Sequence, residues 1–227
     1  EEVKDGPIFV VGGSGFYFMS IEKGMFGLGD VDADIVDRLQ ARLEKEGPEV
    51  LYKELQAKDP EAAEKIEAND AYRTQRALSI IEQHGRTVTE IRQEFTDKQA
   101  ELQMKNPLLK IGFDIERPSL KFRVRKRAKQ MLELGLVAEV EGLLEKGFKD
   151  WAPMKSIGYR EVVTHLKGQF DKDELVNEIV KNTMKLAKKQ KTWFKKDSEI
   201  HWFEPSQDAE ATKLFSDWYG KQAGAQK

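Results

Sequence analysis

Apolar residues recur every three or four positions along most of the chain, and this spacing predicts a mainly helical protein. An early stretch, for example, places Ile35, Leu39 and Leu43 on one face. Prolines and glycines lie near the expected helix ends, where proline fits a first turn and glycine follows a last one. The predicted helices span residues 34–45, 48–56, 60–68, 70–84, 88–95, 119–146 with a break at Gly135, 171–196 and 209–220, and residues 222–227 are expected to be disordered.

Strand signals are few. The runs that have the apolar, β-branched and aromatic composition of a buried strand lie at residues 8–11, 108–115 and 200–203. We expect the three to share one largely parallel sheet, with a helical stretch inserted between two of them. The predicted domains are therefore an α/β core of residues 1–29 and 106–227 and a helical insertion lobe of residues 30–105.

Charge is segregated along the chain although its total is small. The 38 basic and 40 acidic residues leave a net charge of −2, so the overall charge does not indicate a nucleic-acid partner. Residues 117–129 and 181–196, in contrast, each hold seven basic residues and no acidic one, while acidic residues concentrate at 44–70. These basic helices could form a phosphate-attracting face, or they could be ordinary solvated helix faces.

Composition excludes several chemistries. The chain has no cysteine, which excludes a disulfide scaffold, cysteine–zinc sites and thiolate catalysis and is typical of a reducing, cytoplasmic location. The three histidines, His84, His165 and His201, have neither metal-ligand spacing nor a neighbouring nucleophile. No apolar run approaches the ~18–20 residues of a membrane span. We therefore expect a cytoplasmic protein with no membrane partner.

A glycine-rich turn follows the first predicted strand. Gly12, Gly13, Ser14 and Gly15 precede an apolar segment that can begin a helix. Glycines in such a turn let backbone N–H groups approach an anion, and the Ser14 hydroxyl could donate to a diphosphate oxygen. The segment is neither a Walker A loop nor a dinucleotide fingerprint, and a glycine turn can also serve only to turn the chain.

Two pairs of arginines lie at helical spacing. Arg73 and Arg76 share one face of a predicted helix, and Arg123 and Arg127 share one face of another. Arginine binds phosphate through two parallel hydrogen bonds, so either pair could hold RNA or a diphosphate. The alternative for both pairs is structural, with the arginines paired to nearby acidic residues or packed along a helix.

Two further basic segments contain aromatic residues. Residues 155–160 form a small-residue loop with a glycine, flanked by Tyr159 and two cations, which suits base stacking combined with phosphate pairing. Residues 188–194 contain three lysines and Trp193, whose ring we expect in the core.

The order of these motifs resembles that of the tRNA dimethylallyltransferases (isopentenyltransferases) over residues 6–204. That family has GGTGLY at the glycine turn, ND–R–RAL at the first arginine pair, R-x-x-x-R before M–GL–EV, a GY[KR][EQ] loop and K-R-Q-x-T-W. Here Ser14 replaces a threonine and Lys189 an arginine. The resemblance implies an α/β fold with a P-loop-NTPase-like parallel sheet core and a helical insertion lobe. It also implies transfer of a dimethylallyl group from dimethylallyl diphosphate to the exocyclic amine of an anticodon-loop adenine.

Individual roles follow from the resemblance. Ser14 and Arg123 would be catalytic, because they would hold the leaving diphosphate. The implied diphosphate site comprises Gly12, Gly13, Ser14, Gly15, Arg123 and Arg127. The implied tRNA-binding residues are Arg73, Gln75, Arg76, Ala77, Leu78, Ser79, Lys155, Ser156, Ile157, Gly158, Tyr159, Arg160, Lys188, Lys189, Gln190, Lys191, Thr192 and Trp193. The implied partners are the tRNA anticodon stem-loop and dimethylallyl diphosphate, and we expect a monomer.

Three parts of the family's site have no counterpart in these 227 residues: the phosphate loop G-x-T-x-x-G-K-[ST], its Mg²⁺ ligand and the Asp that activates the amine. We therefore expect an incomplete core, a Mg²⁺ cofactor whose ligands lie outside this chain, and no catalysis by the chain alone. The alternatives are a noncatalytic RNA-binding fragment and a prenyltransferase acting on a free adenine nucleotide. The second would need neither the basic loop nor the basic helix.

Overall fold

The structure, a computed structural model, describes residues 6–24, 30–101 and 107–225. The chain divides into two compact units. The unit that we call the core unit comprises Glu1–Gly15 and Pro107–Lys227, and the lobe comprises Phe16–Asn106. Both predicted domain boundaries, after residues 29 and 105, involve residues outside the described part of the chain.

The lobe is helical. Its described helices are α1 (Gly15–Lys23, which begins at the last residue of the core unit's first segment), α2 (Ala33–Glu46), α3 (Pro48–Lys58), α4 (Pro60–Glu64), α5 (Ala71–His84) and α6 (Val88–Glu101). Aspartates cap three of them: Asp32, Asp59 and Asp70 accept backbone N–H groups at the starts of α2, α4 and α5. The predicted helices are confirmed, although the one predicted at 60–68 is shorter and the one at 88–95 is longer.

The lobe has its own hydrophobic core. Leu39, Leu51, Leu55 and Leu78 are fully buried at its centre, and they come from α2, α3 and α5. Each lies at the helical spacing that the sequence pattern predicts. Burying a leucine side chain contributes about 1.5–3 kcal/mol, so this cluster is the main source of stability for the lobe.

In its described residues, the core unit contains a small parallel sheet and five further helices. Strand β1 (Ile111–Phe113) pairs in parallel with β2 (His201–Phe203), and Gly112 lies opposite Trp202. The helices are α7 (Arg117–Glu133), α8 (Leu136–Glu145), α9 (Tyr159–Leu166), α10 (Lys172–Phe194) and α11 (Asp208–Ala225). Two 3₁₀ turns, Phe148–Asp150 and Ala152–Lys155, connect α8 to α9.

Gly135 breaks the long helical pattern as expected. It separates α7 from α8 in the left-handed region, with φ at 98°, a conformation that glycine adopts without strain. Residues of α7, α8, α9 and α10 then enclose a second core that includes Leu132, Val140, Val162 and Leu175.

The strand predicted at residues 8–11 is wrong. These residues form no strand, and their side chains are exposed, Val11 at 94%. A strand needs a hydrogen-bonded neighbour, and within the described residues the sheet consists of β1 and β2 alone. The Phe9 ring instead packs against Phe215 of α11, with ring centroids 5.0 Å apart.

Two smaller predictions also need correction. The strand predicted at 108–115 is limited to β1. The disorder predicted from residue 222 is contradicted as far as Ala225, because α11 continues to that residue. Residues 226–227 lie outside the described part of the chain.

Candidate nucleic-acid interface

The glycine turn packs directly on α10. A Cβ atom on Gly13 would lie 2.6 Å from Gln190 Nε2, and one on Gly15 would overlap the ring of Trp193. Gly15 therefore has a packing reason to be glycine, whereas at Gly13 the flexible end of the Gln190 side chain could move aside. Ser14, between them, is exposed. Two motifs from opposite ends of the chain thus meet in the core unit: the segment proposed for diphosphate and the helix proposed for RNA.

The prediction for the ring of Trp193 is wrong. Its side chain is 48% exposed and packs on the glycine turn rather than inside the core. The apolar ring at the end of a basic helix favoured a core position in the sequence. The residues of α10 that are buried in the core include Ile179 and Val180, which lie nearer the start of the helix.

The exposed face of α10 is basic. A groove of about 430 Å³ is lined by Lys185, Lys188, Lys189, Thr192, Trp193 and Lys196. Lys191 does not belong to it, because its ammonium lies 2.6 Å from Asp114 Oδ1 after β1. The predicted RNA residues of α10 therefore divide into groove residues (Lys188, Lys189, Thr192 and Trp193), a structural ion pair (Lys191) and a contact to the glycine turn (Gln190).

A buried carboxylate organises the loop before α9. Glu161 is only 3% exposed. It accepts hydrogen bonds from Gly158 N (2.6 Å), Arg160 Nε (2.6 Å) and Asn182 Nδ2 of α10 (2.9 Å). Gly158 has φ at 102°, which side chains rarely allow. Glu161 thus fixes the loop and joins it to α10, whereas in the sequence it is only the last position of the family's motif in this loop.

The remaining loop residues have distinct environments. The Tyr159 hydroxyl donates to Glu139 of α8, and this hydrogen bond, with a smaller effect from burial, raises the pKa of Tyr159. Ile157 packs against the core of the unit, and the Ser156 carbonyl accepts from Arg160 N. Stacking of a base on Tyr159 therefore stays a prediction, and its hydroxyl is already engaged.

A second groove, of about 410 Å³, lies beside this loop. Its lining combines three cations with apolar side chains: Leu144, Lys149, Met154, Lys155, Arg160, Val163 and Thr164. Lys155 and Arg160 were predicted from the sequence, and Lys149 was missed. The only sequence signal for Lys149 is its place between two aromatic residues, Phe148 and Trp151.

On α7, Arg123 and Arg127 are exposed and lie four residues apart on one face. Neither forms an ion pair with any residue that the structure describes. Arg125 between them donates to Asn177 Oδ1 of α10 at 2.8 Å, so it links the two helices. The contacts of the glycine turn described above are with α10, and a joint site of Ser14 and Arg123 stays a prediction.

In the lobe, the predicted RNA-binding residues of α5 divide into exposed and buried groups. Arg73 is paired with its cap, with Nη1 2.6 Å from Asp70 Oδ2. Arg76 is exposed, and Gln75 donates to the Val36 carbonyl at 3.2 Å. Ala77, Leu78 and Ser79 are buried and offer no side-chain surface to RNA. The prediction that α5 binds RNA therefore depends on Gln75 and Arg76.

The described residues do not fit a metal site. Among residues 6–24, 30–101 and 107–225, no three His, Asp or Glu side chains cluster closely enough to hold an ion. Within the same ranges, no helix has both the length and the apolar character needed to cross a membrane.

Comparison with known proteins identifies the family. The family model described as IPP transferase matches residues 3–197. The chain belongs to the IPP transferase family. It is similar to the tRNA dimethylallyltransferase of Bdellovibrio bacteriovorus, with 43% identity over 201 residues that cover 88% of this chain and 65% of the relative. For the tRNA dimethylallyltransferase of Thermotoga maritima the identity is 38%, with coverage of 87% and 62%.

Solved structures agree with the sequence comparison. The full-length tRNA isopentenylpyrophosphate transferase of Bacillus halodurans superposes with a TM-score of 0.54 at 29% identity, covering 91% of this chain and 64% of that one. This likeness confirms the predicted fold class, an incomplete P-loop-like α/β core with a helical lobe. The chain spans a little less than two thirds of the length of these relatives.

Proposed function

We propose that the protein transfers a dimethylallyl group from dimethylallyl diphosphate to the exocyclic amine of an anticodon-loop adenine in tRNA. We further propose that these 227 residues supply RNA binding and part of the diphosphate site. The observation that carries the proposal is the contact of the glycine turn with Gln190 and Trp193 of α10. A transferase must hold its two substrates side by side, and this contact joins the two segments assigned to them.

The chemistry defines what the residues must do. The bond between the first carbon of the dimethylallyl group and the diphosphate oxygen breaks, the amine nitrogen bonds to that carbon, and the amine loses a proton. Negative charge grows on the diphosphate as it leaves, so fixed donors there lower the barrier. Ser14 is exposed on the turn and Arg123 has no carboxylate partner among the described residues, so both are available for this role.

RNA binding is assigned to exposed basic side chains. Lys188 and Lys189 of α10, Lys155 and Arg160 of the loop, and Arg76 of the lobe are exposed cations, and phosphate contacts dominate affinity for nucleic acid. An enzyme acting on a free adenine nucleotide would need only one phosphate site. The two basic grooves therefore favour RNA.

The first test measures binding of a labelled anticodon stem-loop RNA by the 227-residue chain at several salt concentrations. We expect binding that weakens as salt rises. Replacing Arg160 and Lys189 together by alanine should reduce the slope of log K against log salt by about 1.4, since each contact to single-stranded RNA contributes about 0.7. Lys181→Ala is the matched control, because Lys181 lies on the same helix but is paired with Glu178 at 2.8 Å.

A single-turnover assay with labelled dimethylallyl diphosphate tests catalysis. The 227-residue chain should form no product, because general base catalysis alone contributes ~10²–10⁴-fold and the activating Asp has no counterpart here. A chimera carrying the remaining third of the Bdellovibrio relative should form product, and Arg123→Ala in it should lower turnover far more than RNA affinity. Product from the isolated chain would contradict this division of roles, and absence of RNA binding would contradict the proposal itself.

A further inference from the structure

An exposed aromatic pair lies outside every motif discussed above. Phe148 begins the first 3₁₀ turn between α8 and α9, Trp151 lies between the two turns, and the residues are 45% and 47% exposed. Their ring centroids are 5.7 Å apart and the planes are tilted by 52°. Two large rings left partly in water contribute little to the core. Exposed aromatic rings among cations are typical of surfaces on which single-stranded bases stack.

The charges around this pair are positive and free. Lys149, between the two rings in sequence, lines the second groove together with Lys155 and Arg160. Within the described part of the chain, neither Lys149 nor Lys155 forms an ion pair, while Asp150 is the one acid in residues 146–160. Arg160 uses Nε for Glu161, which leaves both terminal amino groups of its guanidinium for another anion.

The groove has the composition of a nucleotide site. Its apolar lining residues Leu144, Met154 and Val163 are buried or half-buried, and its three cations are exposed. Apolar surface suits the faces of a base, and the cations suit its phosphate.

The groove is also held in place. Glu161 fixes Arg160 and Gly158 on one side and Asn182 of α10 on the other. On the α8 side, Trp151 N donates to the Phe148 carbonyl at 3.1 Å and Met154 N to the Trp151 carbonyl at 2.9 Å. A surface ordered before binding loses less conformational entropy when it binds.

We propose that Phe148, Lys149 and Trp151, with the adjoining groove, bind one unpaired nucleotide of the RNA next to the nucleotides held by residues 155–160. The base stacks on Trp151, and Lys149 contacts its phosphate. This inference rests on the proposed function, since it extends the RNA surface of the same protein.

The test compares Trp151→Ala, Trp151→Phe and Lys149→Ala with the unaltered chain, using the labelled anticodon stem-loop RNA. Trp151→Ala should weaken binding about 5- to 150-fold, because a stacked base contributes about 1–3 kcal/mol, whereas Trp151→Phe should retain most of the affinity. Lys149→Ala should lower the salt slope by about 0.7. Lys146→Ala is the matched control, since Lys146 is exposed nearby but does not line the groove.

Tryptophan fluorescence distinguishes base stacking on Trp151 from the phosphate contact of Lys149. RNA should quench tryptophan fluorescence in the unaltered chain and markedly less in Trp151→Phe. An abasic oligonucleotide should bind in a Lys149-dependent manner without that quenching. If the unaltered chain binds RNA but Trp151→Ala and Lys149→Ala both bind as it does, this inference alone is overturned. If the unaltered chain binds no RNA, the inference and the proposed function are both overturned.

Discussion

Two carboxylates, Asp59 in the lobe and Glu161 in the core unit, are almost completely buried. Asp59 accepts from Ala62 N at 3.1 Å, Thr89 N at 3.0 Å and Thr89 Oγ1 at 2.6 Å. It therefore caps α4 and also joins α4 to the start of α6. Burial alone would raise the pKa of Asp59, but the hydrogen bonds from Thr89, Ala62 and Val88 outweigh it and lower that pKa below its ordinary value.

The lowered pKa of Asp59 predicts acid sensitivity of the lobe. A carboxyl group with a depressed folded-state pKa stabilises the fold above its unfolded pKa, near 3.9, and this stabilisation is lost as pH falls through the folded value. Asp59→Asn should therefore lower the free energy of unfolding by about 1–3 kcal/mol at pH 7. The difference from the unaltered chain should shrink below about pH 4.

Circular dichroism during urea unfolding at pH 7 and pH 3 measures this effect. Tryptophan fluorescence provides the internal control, because Trp151, Trp193, Trp202 and Trp218 all lie in the core unit. The Asp59→Asn change should shift the circular dichroism transition and leave the fluorescence transition in place. A difference that stays constant between the two pH values would contradict the assignment.

The sequence predicts only half of what Asp59 does. An aspartate directly before Pro60 is a typical cap, so its bond to Ala62 N follows from local pattern. Its bonds to Thr89 join residues thirty positions apart and depend on the packing of the lobe. Glu161 is similar: the motif indicated that it matters, but its buried contact to Asn182 requires the fold. Local sequence patterns predict helix caps. They do not predict hydrogen bonds between residues that are far apart in the sequence.

At the scale of elements, helices were predicted well and strands poorly. The amphipathic spacing of α2, α5, α7 and α10 fixes their faces from sequence alone, and Gly135 indicates the break after α7. Residues 8–11 have the composition of a strand but no hydrogen-bonded partner among the described residues. Strand formation depends on a neighbour far away in sequence, whereas a helix satisfies its own hydrogen bonds.

The contact between the glycine turn and α10 gives a prediction at this scale. Gly15→Ala should force the Trp193 ring away from the turn, because the new Cβ would overlap it. We expect a loss of about 1 kcal/mol in the free energy of unfolding of the core unit, at the low end for overpacking because the ring is at the surface. RNA affinity should fall as well, since Trp193 lines the basic groove.

Urea unfolding followed by tryptophan fluorescence measures the loss. The matched control is Gly142→Ala, a position within α8 where a Cβ meets no atom within 4 Å. That substitution should be neutral or stabilise by up to about 1 kcal/mol, as alanine favours a helix over glycine. Equal behaviour of the two variants would rule out the packing role of Gly15.

For the whole molecule, the decisive feature is that each unit has a separate hydrophobic core. The lobe cluster lies entirely between residues 39 and 91, and the other cluster lies between residues 128 and 180. A fragment of residues 30–101 should therefore fold alone, with a helical circular dichroism spectrum and cooperative thermal unfolding. Leu78→Ala should lower the free energy of unfolding of this fragment by about 2–5 kcal/mol, because Leu78 is fully buried.

The control for that fragment is Val50→Ala. Val50 of α3 is exposed, so this substitution should lower the free energy of unfolding only slightly. A fragment that melts without cooperativity, or that responds equally to both substitutions, would show that the lobe depends on the rest of the chain.

The arrangement of the units along the chain sets an order of assembly on the ribosome. The lobe is one continuous stretch, whereas the core unit is built from residues on both sides of it. The lobe is therefore completely synthesised before α7 to α11 exist, and domains generally fold as they emerge. Gly13 and Gly15 are made before the lobe, yet Gln190 and Trp193, which pack on them, are made after it. The turn proposed to hold the diphosphate thus waits, without its support, while the lobe and the helices α7 to α9 are synthesised.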